Sequence, residues 1–264
     1  MLYKIDKADK TDKSSLQGAL PKDIYKVNGS YFIVKGNSSG NVEPISEVLG
    51  SRIFRFLTDY PVIESYLVER DNFLEVNGDY DYASMSKKFK YKLFNYSKHM
   101  RYLNKLGKIS CKFDFDELFK YFSLDFKQYY AMLVCDAVIG NKDRHNNNYD
   151  VYYDDNGIMK LAPILDFGQS MLFDIRDYAL PYTDLEDEDK SKPLCNTHKE
   201  QIRYLINTYG IIKCIKCTYN EFEDFVLNKN DDIFSLVSDI RSAKIKEYLL
   251  SRYKKYAEQF EIGR

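Results

Sequence analysis

The chain has 264 residues, with 39 Lys and Arg residues against 40 Asp and Glu residues and a formal net charge of -1. This length can bury a substantial core as one large domain or as two lobes, and the balanced charge gives no global indication of binding to nucleic acid or to an anionic membrane. The five cysteines are irregularly spaced and indicate reduced thiols, and the lack of a signal segment or of an apolar run of spanning length predicts a cytoplasmic protein.

The first predicted elements form a β-hairpin. Strand-like runs at residues 24–27 and 31–35 flank Asn28 and Gly29, a pair that supplies the positive φ angles of a tight turn. Lys35 ends the second strand. It is either a solvated lysine at a strand end, which is the commoner case, or a lysine that would contact the α- and β-phosphates of a nucleotide.

A helix is predicted next, over residues 47–57, with Ser46 as its N-cap and apolar residues at helical spacing. Glu47 in the first turn would reach Lys35 and hold its ammonium group against phosphate. Glu43 is the other candidate for this pairing. A glutamate at the start of the helix therefore favours the phosphate-binding role of Lys35.

A strand predicted over residues 62–69 leads into Arg70 and Asp71. In a two-lobed nucleotide-binding enzyme, the strand that leaves the small lobe continues as a hinge whose backbone bonds the adenine edge. We therefore place the hinge at Glu69, Arg70 and Asp71.

Residues 82–113 form a basic segment with no acid and nine Lys or Arg residues, interleaved with aromatic residues. This pattern fits contacts with RNA or with an acidic partner. We favour a structural interpretation over such contacts, with the charges on a solvated face and the aromatic residues buried, because most charge runs are solvated. The acidic stretch at residues 184–189 offers an intramolecular partner for the basic segment.

The stretch that organises the chain begins at the end of a helix predicted over residues 125–140. The polar loop that follows carries Asp143, His145 and Asn148. A β-hairpin closed by an Asn-Gly pair then delivers the chain to an Asp-Phe-Gly sequence that begins at Asp166. This order of elements is typical of enzymes that bring a catalytic carboxylate and two metal-binding side chains to one point.

These residue types suit phosphoryl transfer, in which the protein orients an attacking hydroxyl and neutralises a triphosphate with Mg²⁺. Asp143 would accept the hydrogen bond of the hydroxyl. Because a hard cation prefers oxygen ligands, Asn148 and Asp166 would hold the metal. The alternative is a polar loop beside a chance Asp-Phe-Gly, and the order and separation of the parts favour catalysis.

The histidines have more modest predicted places. His145 is predicted to hydrogen-bond the backbone near Asp166 and so to shape the loop, whereas His99 and His198 are predicted to lie at the surface. Asp136, near the end of the preceding helix, is predicted to brace the loop through a structural hydrogen bond.

Several motifs over residues 14–171 resemble those of HipA-like serine/threonine kinases. Residues 15–22 resemble their Ser-x-x-Gly-Ala-x-x-Lys phosphate loop, residues 67–70 their hinge, and residues 143–148 their Asp-x-His-x-x-Asn catalytic loop. The Asp-Arg-His order is also similar to that of phosphoinositide 3-kinase-like enzymes, and no Ala-Pro-Glu follows the Asp-Phe-Gly.

The resemblance implies a two-lobed α+β fold of the protein-kinase-like type. A small β-rich N-lobe with one helix would occupy residues 1–70, and a larger, mostly helical C-lobe would occupy residues 71–264. Residues 173–195 would lie along a peptide substrate. The helices predicted to complete the C-lobe cover about residues 197–208, 219–227 and 239–260.

The resemblance also implies an activity, namely transfer of the γ-phosphoryl group of ATP to serine or threonine hydroxyls of a protein, with Mg²⁺ as the metal. Catalysis would use Asp143, His145 and Lys35. The residues assigned to nucleotide binding are Ser15, Gly18, Lys22, Lys35, Glu47, Glu69, Arg70 and Asp71.

Regulation and partners are implied in the same way. In such kinases the serine at the position of Ser15, whose neighbour is Ser14, can itself be phosphorylated, and a dianion there would repel the triphosphate. Family members are often the toxin half of a toxin-antitoxin pair. Longer members carry an N-terminal domain that has no counterpart ahead of the phosphate loop here, so a separate small antitoxin-like protein is the expected partner, with neither membrane nor directly bound nucleic acid.

Two rival functions stay open from the sequence. One is a kinase of the same fold that acts on a lipid or a small-molecule alcohol, as the Asp-Arg-His order suggests. The other is a catalytically inactive nucleotide-binding regulator, against which the intact Asp143, Asn148 and Asp166 argue.

Overall fold

The computed structural model describes residues 8–10, 22–38, 41–70, 81–107, 124–145, 148, 150–186, 189–192 and 194–262. Three predicted nucleotide-binding residues, Ser15, Gly18 and Asp71, lie outside the described residues, as does Ser14.

The secondary structure begins with strands and continues mainly as helices. The strands are β1 (Ala8–Lys10), β2 (Lys22–Val27), β3 (Ser30–Lys35), β4 (Ser65–Glu69), β5 (Tyr82–Lys87), β6 (Phe94–Asn95), β7 (Asp150–Tyr153) and β8 (Met159–Leu161). The α-helices are α1 (Glu43–Leu57), α2 (Tyr96–Lys105), α3 (Phe126–Ile139), α4 (His198–Tyr209), α5 (Tyr219–Asn228), α6 (Asp231–Phe234) and α7 (Asp239–Tyr253). A 3₁₀ turn at Leu180–Tyr182 and a π-helical turn at Lys254–Glu258 complete the list.

Strands β1 to β5 form a five-stranded antiparallel sheet in the order β1-β2-β3-β5-β4. The predicted hairpin is confirmed, because Asn28 and Gly29 turn the chain between β2 and β3 with φ angles of 47° and 78°. The register of this hairpin places Lys22 directly opposite Lys35. Two lysines therefore share one end of the β2–β3 ladder.

The prediction that the chain leaves the small lobe at residue 70 is wrong. Strand β4 is an edge strand that turns back and pairs with β5, so that Glu69 lies opposite Tyr82, and the Arg70 amide donates to the Asp81 carbonyl (2.9 Å). Strand β5 lies between β3 and β4 and is the strand after which the chain leaves this sheet. By the reasoning that placed the hinge at Glu69 to Asp71, a hinge would be expected after Lys87 instead.

Helix α1 begins earlier than predicted, at Glu43 rather than Glu47, with Pro44 in its first turn. Ser46 is not the N-cap. It is buried inside the helix, where its hydroxyl donates to the Ser170 carbonyl (2.9 Å). Ser46, which was predicted to cap the helix, thus links the helix to the segment after Asp-Phe-Gly.

The part of the molecule that follows β5 contains helices α2 to α7 and is built around α3, as predicted. Asp125 caps this helix by accepting from the backbone of Lys127 (3.0 Å), and every residue from Gln128 to Ile139 is buried. The helix ends at Gly140, which adopts the left-handed conformation with a φ angle of 65°. Strands β7 and β8 follow the polar loop and form a small antiparallel sheet with β6, in the order β6-β7-β8. The molecule is therefore the mixed α+β fold that the sequence predicts, with the polar loop fixed at the end of its most buried helix.

One prediction about the surface is wrong, and a second is not supported by the residues that the structure describes. His198 is fully buried, with 0% of its surface exposed, because it starts α4 against Tyr256. The acidic stretch does not pair with the basic segment in the described residues: Glu186 pairs with Lys255, and Asp189 pairs with Arg252 (3.3 Å). Among the described helices, none has both the length and the apolar character required to cross a membrane.

Candidate active site

Lys35 links the two halves of the candidate site. Its ammonium nitrogen lies 3.2 Å from a carboxylate oxygen of Glu47 on α1 and 3.1 Å from Oδ1 of Asp166. The choice that the sequence left open is thus resolved, since Glu47 pairs with Lys35 whereas Glu43 accepts from the Ser38 amide (3.3 Å). Lys35 and Asp166 are thus in direct contact although they lie 131 positions apart in sequence.

Glu47 also holds the Asp-Phe-Gly backbone. Its two carboxylate oxygens accept from the amides of Asp166 (3.3 Å) and Phe167 (3.0 Å). Close packing supports this arrangement, because a Cβ atom added at Gly50 of α1 would lie 2.5 Å from the Phe167 Cβ. Helix α1, Lys35 and Asp166 therefore form one connected unit.

The electrostatics of this unit keep Lys35 and Asp166 ionised. Burial opposes the charged form of Lys35, but the carboxylates of Asp166 and Glu47 together raise its pKa above the ordinary value. The Lys35 charge is in turn the main reason that the pKa of Asp166 falls to about 2, against the opposing effect of burial. Asp166 is therefore a carboxylate at any physiological pH.

The polar loop is fixed by a buried arginine. Arg144 is 0% exposed, and its guanidinium donates to both carboxylate oxygens of Asp136, at 2.8 and 3.2 Å. The same guanidinium donates to the carbonyls of Leu165 and Asn148. It thus ties α3, the loop and the residue before Asp166 together.

Asn141 forms the second tie. Its side-chain nitrogen donates to Asp136 (3.1 Å) and to the Asp166 carbonyl (3.3 Å), and its oxygen accepts from the Asp143 amide (3.1 Å). The prediction that Asp136 braces the loop is confirmed in this geometry. Burial of an ion pair is costly unless the remaining hydrogen bonds are satisfied, so this network is specific to one loop conformation.

Asp143 lies at the open side of the loop, with its side chain 25% exposed. One carboxylate oxygen is 2.8 Å from the Lys192 ammonium and the other is 3.7 Å from Nε2 of His145. His145 is thus placed beside the predicted catalytic carboxylate. Lys192, on the segment after Asp-Phe-Gly, carries no motif that would have singled it out.

Asn148 and Asp166 fit the metal role predicted for them. The Asn148 side-chain nitrogen donates to the Asp143 carbonyl, which leaves its oxygen for a cation, and Asp166 is ionised. No group of three His, Cys, Asp or Glu side chains suited to a metal occurs among the described residues. A magnesium ion held here would complete its shell with phosphate oxygens and water, as Mg²⁺ commonly does.

The comparisons with known proteins establish the fold. Neither the protein-family models nor the curated proteins contain a match to the chain. Among solved structures, the Helicobacter pylori proinflammatory kinase CtkA is similar, with a TM-score of 0.65, 18% sequence identity, and coverage of 95% of this chain and 94% of that chain. The chain has a kinase-like fold.

Lys22 and Asp150 are two further charged residues near the cleft of this kinase-like fold. Burial and then Lys35 lower the pKa of Lys22, while Asp166, Glu47 and Asp150 act in the opposite sense. Burial and then the Asp166 charge raise the pKa of Asp150 to about 6. Sequence reasoning singled out Lys22 but missed Asp150, which begins β7 two residues after Asn148 and has no motif of its own.

We expect Asp150→Asn to stabilise the protein at neutral pH. Because the folded pKa of about 6 exceeds the ordinary carboxyl value, the folded state binds more protons and its stability falls as pH rises from about 4 to 6. The variant removes this loss, so it should gain up to roughly 3 kcal/mol above pH 6 but only about 1 kcal/mol at pH 4.5. Urea unfolding at several pH values, without Mg²⁺ or nucleotide, measures it.

The matched control is Asp155→Asn, which removes an exposed carboxylate from the same hairpin. It should lack the gain in stability above pH 6 that is expected of Asp150→Asn. A pH-independent difference between Asp150→Asn and the wild type would contradict the assignment of a raised pKa to Asp150.

Proposed function

We propose that this protein is an ATP- and Mg²⁺-dependent kinase that transfers the γ-phosphoryl group to a serine or threonine hydroxyl of a protein. The observation that carries the proposal is the contact of Lys35 with both Glu47 and Asp166. Protein kinases require the ion pair between a strand lysine and a helix glutamate, together with an Asp-Phe-Gly aspartate that can hold Mg²⁺, before phosphoryl transfer. The kinase-like fold supports it.

Different residues of the chain would orient the hydroxyl, bind the phosphates and hold the metal. Asp143 orients the attacking hydroxyl and takes its proton, with its backbone fixed through Asn141. Lys35 and Lys22 provide positive charge for the phosphates of the nucleotide, and Mg²⁺ held by Asn148 and Asp166 would neutralise the charge that develops on them.

Protein as the acceptor, autophosphorylation at Ser15 and a separate small antitoxin-like partner are parts of the proposal that rest on the motif resemblance. Incubation with ATP and Mg²⁺ followed by mass spectrometry tests Ser15 directly. Radiolabelled ATP with protein, lipid and metabolite acceptors tests the acceptor class, and label in the lipid or metabolite fraction alone would favour the alternative kinase function.

We expect Asp166→Asn to weaken binding of the Mg²⁺-nucleotide by at least about tenfold, because a charged metal ligand becomes neutral. Asparagine is the suitable replacement since Asp166 has a φ angle of 72°, a conformation that Asn adopts more readily than Ala. Titration of a fluorescent ATP analogue, with and without Mg²⁺, measures the change.

Folding is followed in parallel by far-UV circular dichroism and thermal unfolding. As the control, Asp174→Asn neutralises a carboxylate that pairs with Lys142 (3.2 Å) and is 44% exposed. It should bind the Mg²⁺-nucleotide as the wild type does. Equal Mg²⁺-dependent affinity in Asp166→Asn and the wild type would remove Asp166 from the metal site.

A further inference from the structure

The contact of Lys192 with Asp143 has no role in the mechanism described above. The Lys192 ammonium lies 2.8 Å from Oδ1 of Asp143, although the two residues are 49 positions apart. Nothing in the predicted machinery uses this lysine. Its position at the hydroxyl-orienting carboxylate places it where the transferred group must pass.

The three residues that precede Lys192 are held in place by the rest of the fold. Asp189 is buried and pairs with Arg252 (3.3 Å), and Lys190 forms an antiparallel bridge with Thr197. Ser191 is also buried, and its amide donates to the Asn196 carbonyl at 2.8 Å. The Lys192 side chain, by contrast, is 52% exposed. Residues 189–191 are therefore anchored, and the half-exposed ammonium group that follows them lies against Asp143.

The distribution of positive charge indicates what this ammonium group does. Lys35 is engaged by Glu47 and Asp166, and Lys22 lies in the electrostatic field of the same groups, so both serve the Asp166 side of the cleft. On the Asp143 side, the ion pairs among the described residues are those with Lys192 and with His145, and His145 is charged only when protonated. Charge develops on the γ-phosphoryl oxygens on that side during transfer.

We propose that Lys192 is a catalytic residue that donates to the γ-phosphoryl group during transfer. This inference rests on the proposed kinase function. An ammonium group has three N–H donors, so one can stay on Asp143 while the others reach phosphoryl oxygens. In the step, the acceptor oxygen bonds to the γ-phosphorus as the bond to the bridging oxygen breaks, ADP leaves with that electron pair, and the hydroxyl proton passes to Asp143.

A blocking role for Lys192 is the competing reading of the same contact. An exposed pair of this kind shifts an equilibrium by only about fivefold at most, because water screens it and the side chain loses entropy. That is too little to keep a cleft closed. The fixed backbone and the free donors fit a catalytic role instead.

The test compares Lys192→Met with the matched control Lys190→Met, which removes an exposed lysine two residues earlier on the same turn. The full chain is titrated with ADP and Mg²⁺, with and without aluminium fluoride, which stands in for the transferring phosphoryl group. Lys192→Met should bind ADP within about twofold of the wild type, yet lose about tenfold or more of the affinity gained from aluminium fluoride.

Acceptor-free ATP hydrolysis should fall by about 10²-fold in Lys192→Met, as for loss of one transition-state donor, and less in Lys192→Arg. Lys190→Met should match the wild type in both assays. Unchanged or faster hydrolysis in Lys192→Met, or an undiminished gain from aluminium fluoride, would overturn the inference while leaving the kinase function standing. A wild-type protein that binds no Mg²⁺-ADP would overturn both.

Discussion

Asp143→Asn is expected to reduce phosphoryl transfer by about 10²- to 10⁴-fold, because the variant cannot take the proton of the attacking hydroxyl. Asparagine keeps the shape of the side chain and an oxygen that can accept from Lys192, which lies 2.8 Å from the native carboxylate. The backbone amide of residue 143 would still donate to Asn141, so the loop should keep its conformation. Initial rates with radiolabelled ATP measure the loss.

Nucleotide affinity distinguishes this effect from damage to the cleft. Because the Asp143 carboxylate pairs with Lys192, whereas Lys35 pairs with Asp166, the affinity of Asp143→Asn for Mg²⁺-ATP should stay within about threefold of the wild type. Asp174→Asn again provides a neutralised carboxylate outside the machinery and should retain full turnover. Turnover by Asp143→Asn at the wild-type rate would end the assignment of Asp143 as the base.

Parts of the molecule with local signals were predictable. Asn28 and Gly29 specify a tight turn by their own backbone preferences, and the hairpin between β2 and β3 forms where expected. Helix α3 is apolar on all sides and ends at a glycine, so its burial and its end both follow from sequence. The order of the elements predicted that Lys35 could pair with Glu47. Only the three-dimensional structure shows that Glu43 does not form this pair.

The predictions failed where contacts between residues distant in sequence determine the structure. Strand β5 contains two serines and an alanine and lacks a clear apolar alternation, so its place between β3 and β4 depends on pairings that no local pattern encodes. Arg144 looks like a solvated loop residue, but Asp136, eight residues earlier, draws it into the core. The contact of Lys192 with Asp143 spans 49 residues and has no motif. Charges that meet only through the tertiary fold were therefore the main omission.

Gly140→Ala is expected to destabilise the fold by about 2–5 kcal/mol, from a left-handed residue that now carries a Cβ atom and from overpacking. The added Cβ would lie 2.0 Å from the hydroxyl oxygen and 2.7 Å from Cζ of Tyr248, which is fully buried. The collision can be relieved only if the Tyr248 ring or the end of α3 moves. A fall in Tm of about 5–15 °C is expected for a chain of this length, measured by calorimetry.

The matched control is Gly157→Ala, at a glycine with a φ angle of 73° and no heavy atom within 4 Å of the added Cβ. It carries the backbone strain without the collision, so it should cost only about 1 kcal/mol. The difference between the variants isolates the contact with Tyr248. Because Gly140 directly precedes Asn141, whose side chain holds the Asp143 amide at 3.1 Å, Gly140→Ala should also slow phosphoryl transfer below its unfolding temperature. Equal stability of the two variants would show that the end of α3 is looser than this packing requires.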